Sequence, residues 1–143
     1  MGRYMIKFFL AIFAAMVTSF LGLIAVEVLS AFAHPFPEGF SGTKEEMCEH
    51  VAKYPHWFLA VVVVLWSGVS ALGTWVAKRM AGKNAAIVMS LLLGLGVFTN
   101  VLQLPYPLWF EWVIAPSVVA ASLVIVFKSA KGSRGVTDPL PVP

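Results

Sequence analysis

The feature that most constrains this chain is the apolar run from Phe8 to Ala33, which contains one carboxylate, Glu27. A helix of about 26 residues extends roughly 39 Å, which exceeds the ~30 Å hydrocarbon thickness of a bilayer. Ala14, Thr18 and Gly22 recur every four residues and predict a stripe of small side chains for close helix packing. An ionisable group within a membrane span is costly, so Glu27 is the first candidate functional residue.

The composition agrees with a membrane environment. The chain is 59% hydrophobic and 12% charged, whereas soluble domains average about 25% charged residues. So few polar residues cannot cover a water-facing surface, and a lipid bilayer is the solvent that fits. The pI near 9.2 comes from Lys and Arg beside apolar runs, a placement that favours the positive-inside rule over a nucleic-acid partner.

Three further apolar runs follow the first. We predict spans at about residues 8–33, 57–77, 85–104 and 108–127, which form one transmembrane domain over residues 1–127. The expected fold class is all-α, an integral membrane four-helix bundle. Residues 128–143 are rich in Gly, Ser and Pro and are predicted to form a disordered cytoplasmic tail.

The one sizeable polar loop, from His34 to Pro55, contains a helix signal. Thr43 and Glu46 have the spacing of a capping box, which predicts a helix over residues 44–54 that stops before the proline. Its apolar and charged residues fall on different faces. We therefore expect a short extracytoplasmic amphipathic helix that lies on the membrane surface or caps the bundle.

The basic residues predict the orientation. Eight of the ten Lys and Arg residues fall on one side of the predicted spans: Arg3, Lys7, Lys78, Arg79, Lys83, Lys128, Lys131 and Arg134. This bias predicts a multi-pass protein of the bacterial inner membrane with both termini in the cytoplasm.

Ala31-Phe32-Ala33 resembles a signal-peptidase site, so cleavage of the first span stays open. The preceding run exceeds the 7–15 apolar residues of a signal peptide, which favours an uncleaved helix.

Polar residues from three spans reach a similar depth on the extracytoplasmic side. At about 1.5 Å per residue, Glu27 lies roughly 9 Å below that interface, Asn100 roughly 6 Å and Glu111 roughly 5 Å. His34 and His56 lie at the interface itself, which completes the candidate binding site. Two interpretations stay open: a pocket in which Glu27 binds a cation or carries a proton, or a hydrogen bond to Asn100 that only fixes helix packing.

Catalytic and metal-binding patterns are weak. Glu46 and His50 are four residues apart, but no recurrent ligand spacing accompanies them, so we predict no metal site. Gly68-Val69-Ser70 has the Gly-x-Ser form of membrane serine proteases, yet no histidine follows His56 to act as base. We therefore predict no enzyme activity and no cofactor.

Two resemblances follow from these residues. The chain resembles a group of small bacterial four-span membrane proteins without an assigned activity, which implies the fold and adds no chemistry. The segments that carry this likeness are Glu27, His34-Pro35-Phe36-Pro37-Glu38-Gly39, Pro55, residues 68–77, Asn100 and Leu104-Pro105-Tyr106-Pro107-Leu108-Trp109. Locally, Ala25-Val26-Glu27-Val28 is similar to the first span of small multidrug-resistance transporters, whose membrane glutamate exchanges protons for cationic drugs. The long loop after the first span and the strong Lys/Arg asymmetry depart from that family.

The sequence thus predicts a non-enzymatic, polytopic inner-membrane protein that serves as an accessory or partner-binding subunit. Besides the lipid bilayer, its expected partner is a second copy of the chain or another membrane protein. The alternative is a small proton- or cation-coupled transporter that uses Glu27.

Overall fold

The computed structural model describes residues 2–128, which form five α-helices and no strand. The helices are α1 Gly2–Ala33, α2 Lys44–Ala52, α3 His56–Ala81, α4 Lys83–Gln103 and α5 Leu108–Phe127. All except α2 are long and apolar enough to cross a membrane, which confirms the predicted all-α bundle of four membrane helices. Apart from Lys128, the predicted tail lies outside the described residues, as do Lys131 and Arg134.

The helix bounds differ from the predicted spans mainly at the charged ends. Helix α5 begins and ends as predicted, whereas α1 begins at Gly2 and α3 continues to Ala81. The extensions contain Lys and Arg, which are good helix formers, so the backbone hydrogen bonding continues beyond the apolar run. The predicted helix over residues 44–54 ends early, at Ala52. The cause is Pro55, which disfavours helical backbone at the residue before it.

The start of α2 is the predicted capping box. Thr43 Oγ1 accepts a hydrogen bond from the Glu46 amide, and Glu46 Oε2 accepts one from the Thr43 amide, both at 3.3 Å. The hydroxyl and amide of Ser41 also donate to Glu46 Oε2, at 2.8 and 2.9 Å. These donors, the Ser41 hydroxyl first, hold the pKa of Glu46 below its usual value, and they tie the preceding loop to α2.

Helix α3 is central: it contacts α1, α4 and α5, while α1 also contacts α4 but not α5. We call the end with Gly2, the α3–α4 junction and Lys128 the basic end. The opposite end, with residues 34–55 and 104–107, is the cap end.

Small side chains bring the helices together at the basic end. Ala15 of α1, Ala77 of α3 and Ala85 of α4 form one cluster with Met89, and all four are 0% exposed. Gly73 of α3 lies against α1 so closely that an added Cβ would overlap Ser19 Oγ. Such contacts let the backbones approach without bulky side chains between them.

The buried stripe of α1 differs from the predicted one. Ala11, Ala15 and Ser19 are buried, whereas Ala14 and Thr18 are only partly so. Gly22 of the predicted stripe does pack closely, since an added Cβ would lie 2.9 Å from Val69 of α3. Nearer the basic end, the packed residues lie one position further along the sequence than predicted. The physical reason is that α1 turns the residues facing Gly73 toward α3, and one residue corresponds to about 100° around a helix.

Larger side chains form the core of the cap end. The buried cluster there contains Val26, Phe58, Leu59, Val62, Trp66, Phe110, Ile114 and Val118, from α1, α3 and α5.

At the basic end, Lys78 of α3 holds the C-terminal end of α5 through hydrogen bonds. Its Nζ donates to the carbonyls of Ile125, Val126 and Lys128 at 2.6, 3.0 and 2.7 Å. Carbonyls at the C-terminal end of a helix lack intrahelical partners, so these bonds satisfy them.

Candidate functional site

A groove of about 310 Å³ lies between α1, α3 and α4 in the half of the bundle nearer the cap end. Its walls are mostly apolar, and Gly96 of α4 adds no side chain to them. Glu27 and Asn100 are the lining residues of α1 and α4 that lie nearest the cap end. The groove thus combines a mostly apolar wall with one carboxylate and one amide at the end nearer the cap end.

A second cavity of about 110 Å³, which we call the chamber, lies beneath α2. Glu27, Asn100 and Trp66 line both the chamber and the groove. The other polar residues of the chamber are Ser30, His50, Tyr54 and Tyr106. A polar cavity of this volume has room for several water molecules.

The structure brings together two of the five residues predicted as a site, Glu27 and Asn100. The predicted direct hydrogen bond between them is not among the bonds formed by the described residues. Asn100 Oδ1 instead accepts a hydrogen bond from Tyr106 Oη at 3.3 Å. This leaves Glu27 at the junction of groove and chamber, close to Asn100 without being paired with it.

The other three predicted residues lie elsewhere at the cap end. Glu111 is on α5, which does not contact α1, and the ring of His56 is 5.9 Å from that of Trp109. In the described part of the chain, neither residue lines the groove or the chamber. His34 lies outside the chamber, where its ring stacks on His50 with centroids 4.4 Å apart.

Two tyrosines that sequence reasoning missed lie near Glu27. Burial raises the pKa of Tyr106 and of Tyr54, and the negative charge of Glu27 raises both further. Both phenols therefore stay protonated at neutral pH, and Tyr106 donates its hydrogen bond to Asn100 rather than to Glu27. The available sequence signal was proline: Tyr54 precedes Pro55, and Tyr106 lies in the tight Pro-x-Pro link between α4 and α5, so each is held against the bundle.

Trp66 was also missed, and His50 was considered only as a metal ligand; both carry buried polar atoms without partners among the described residues. Trp66 is 7% exposed and His50 is 5% exposed, and neither Trp66 Nε1 nor His50 Nε2 has a hydrogen-bond partner within residues 2–128. Most buried polar groups in proteins are paired, so an unpaired one in a cavity wall points to a ligand or water. Both atoms belong to residues of the chamber wall.

The chemistry of the site follows from what it contains. No Lys or Arg lines the groove or the chamber within residues 2–128, so no fixed cation neutralises Glu27. The polar residues that share these walls with Glu27 include two tyrosines, a tryptophan and an asparagine. No three His, Cys, Asp or Glu side chains of these residues are arranged to hold a metal ion. The arrangement suits the binding of a proton or a small monovalent cation.

The comparisons with known proteins identify no relative. The chain matches no protein-family model. No curated protein and no solved structure is significantly similar to it.

Proposed function

We propose that this chain is a non-enzymatic, multi-pass protein of the bacterial inner membrane in which Glu27 binds and releases a proton or a small cation. One observation carries the proposal: Glu27 lies on the wall common to groove and chamber, and neither cavity offers it a basic partner. A carboxylate in apolar surroundings is stable only when a proton or a counter-ion neutralises it.

The position of Glu27 favours exchange over simple retention. The chamber lies beneath α2 and has a larger polar share in its wall, whereas the groove is mostly apolar and extends toward the middle of the bundle. A group that reaches both can take up a proton or cation from one and release it into the other. The proposed activity is proton- or cation-coupled transport.

The experiment uses the full chain in liposomes with an internal pH-sensitive dye and a membrane potential that valinomycin generates from an imposed potassium gradient. We expect proton influx with the parent protein and at least a tenfold slower influx with Glu27→Gln, which keeps the size and removes the titratable group. Glu111→Gln is the matched control, because it removes another carboxylate of a membrane helix that lines neither cavity. Adding a sodium gradient while the potassium gradient is kept unchanged tests whether a metal cation moves with the proton.

Two results would contradict the proposal. One is parental influx in Glu27→Gln. The other is influx no faster than that of empty liposomes for the parent protein under every gradient applied. The second result would favour the accessory role instead.

One observation supports an accessory or partner-binding role as the second candidate. Helix α1 packs on one side only, and its other side exposes Phe9, Phe13 and Phe20, each more than 60%. In a bilayer this face meets lipid or a helix of another protein. Cysteine cross-linking of Phe13→Cys, with Cys48 replaced by serine, would show a second copy of the chain. A chain that stays monomeric and copurifies with no partner from native membranes would eliminate this role.

The proposed orientation places the cap end outside and both termini in the cytoplasm, as the distribution of Lys and Arg favours. Cys48 of α2 is the single cysteine and is partly exposed. A membrane-impermeant thiol reagent should therefore label Cys48 of intact spheroplasts. Labelling that requires permeabilised cells would reverse the orientation.

A further inference from the structure

A third cavity, which we call the vestibule, opens on the surface of the cap end and has a volume of about 220 Å³. Three acidic residues line it: Glu38, Glu46 and Glu49. Carboxylates that face a cleft raise the local concentration of protons and cations. His50 is the one residue that lines both the vestibule and the chamber that contains Glu27.

The position of His50 is held tightly by its neighbours. Its ring stacks between His34 and Phe36, with centroid distances of 4.4 and 4.5 Å, and meets Tyr54 edge-on at 5.3 Å. His34 Nε2–H donates to the carbonyl of His50 at 3.3 Å. The ring is thus clamped in place, and its buried Nε2 has no hydrogen-bond partner among the described residues.

We propose that His50 is the proton relay between the vestibule and Glu27. This inference rests on the proposed function of Glu27. A vestibule proton adds to the neutral imidazole to form an imidazolium, which then releases a proton into the chamber and becomes neutral again. Glu27 gains that proton and loses its negative charge, so the balance is one proton moved from water to the carboxylate. Histidine suits this task because its charge changes near neutral pH.

The charges around His50 favour a short-lived imidazolium. Burial lowers the pKa of His50, and the positive charges of His34 and Lys53 lower it further. The resting ring is therefore neutral and ready to accept a proton. The titratable and charged groups that share its two cavities are His34, Glu38, Glu46, Glu49 and Lys53 on the vestibule side, and Glu27, Tyr54 and Tyr106 on the chamber side.

A competing route exists on the other side of α2. A cleft of about 570 Å³ between α2 and α4 is lined by Lys44, Thr99, Gln103 and Asn100, and the last of these also lines the chamber. This cleft has no carboxylate or histidine in its wall, and its one charged lining residue is Lys44, whereas the vestibule combines Lys53 with three carboxylates. We therefore assign proton entry to the His50 side.

The test measures the initial rate of proton influx in liposomes for His50→Ala and His50→Gln. We expect at least a tenfold decrease in both, and recovery of His50→Ala on addition of imidazole, which can occupy the vacated space. His56→Ala is the matched control, since His56 belongs to the cap end but lines neither cavity. Imidazole should not restore influx in Glu27→Gln, because the final acceptor is missing there.

A purely structural role for His50 predicts different results. A loss that imidazole does not restore, although His50→Gln unfolds at the parental temperature, would overturn the relay. Parental influx in both variants would also overturn it and leave the proposed function of Glu27 intact. A tenfold loss in Gln103→Leu with none in His50→Ala would assign entry to the α2–α4 cleft. Failure of the proposed function is distinct, because the parent protein would then show no influx dependent on Glu27.

Discussion

The two ends of the bundle are packed in opposite ways. At the basic end, Ala15, Ala77 and Ala85 bring α1, α3 and α4 into direct contact. At the cap end, Phe58 and Phe110 fill the core around α3 and α5, and α1 and α4 are separated by the groove. Every cavity described above lies toward the cap end.

This difference separates stability from function within one small bundle. Small side chains leave little space between the helices, so the described part of the basic end is close-packed. Larger side chains of α3 and α5 form the core of the cap end, and polar residues line the cavities beside it. The groove and the chamber, which share Glu27, both lie toward this end.

Disturbing the close contact at Gly73 should have the largest effect on stability. In Gly73→Ala the new Cβ overlaps Ser19 Oγ and approaches the carbonyl of Ala15 at 3.4 Å. We expect a loss of about 2 kcal/mol in the free energy of unfolding, as for other overpacked sites, measured by thermal unfolding in nanodiscs. Ser19→Ala should restore most of this loss in the double variant.

The control for Gly73 lies on the same helix. Gly68 faces open space, with no atom within 4 Å of an added Cβ, so Gly68→Ala should be neutral or slightly stabilising. Equal unfolding temperatures for the two alanine variants would show that the close contact between Gly73 and α1 does not contribute to stability.

Removing the Lys78 contacts should have an intermediate effect, also at the basic end. Lys78→Met leaves three carbonyls near the end of α5 without their donor, at an expected cost of about 1 kcal/mol. Hydrogen exchange should accelerate over residues 124–128 and stay unchanged in α2. Arg79→Met is the control, because Arg79 only lies over the ring of exposed Trp75, at 5.8 Å. Equal exchange in both variants would show that Lys78 does not hold α5.

Acidification should have the smallest effect on global stability and act on the cap end alone. The pKa of His50 in the folded protein is lower than the ~6.5 of an exposed imidazole. The imidazole therefore binds a proton more readily in the unfolded state than in the folded state. Its contribution to the stability of the folded cap end is complete above about pH 6.5 and decreases as the pH falls below that value. The lowered pKa of Glu46 adds a loss only below about pH 4.5.

Hydrogen exchange of the α2 amides at several pH values, corrected for the intrinsic exchange rate, measures this effect. We expect protection to decrease between pH 7 and pH 5, while the Gly73 region is unaffected. In His50→Gln the decrease over that interval should disappear and only the lower, Glu46-dependent change should persist. Protection that is constant from pH 7 to pH 5 in the parent chain would contradict a buried neutral imidazole.

Much of the fold follows from local patterns in the sequence. The four membrane helices are visible as apolar runs because a bilayer admits few other structures. The capping box at Thr43 and Glu46 depends on residues three positions apart, so no tertiary information is needed to find it. Glu27 was recognisable as unusual, and its distance from Ala33 places it in the half of α1 nearer the cap end.

The neighbours of Glu27 were decided only by the tertiary structure. Depth along a helix can be counted from the sequence, and similar depth suggested Asn100 and Glu111 as neighbours of Glu27. Asn100 does line the same cavities, but Glu111 lies on α5, which α1 does not contact. The direction in which a side chain points depends on the rotation of its helix, where one residue corresponds to about 100°. Tyr106 reaches the chamber from the link between α4 and α5, and His50 reaches it from α2. The apolar pattern of the sequence does not predict where these two segments lie.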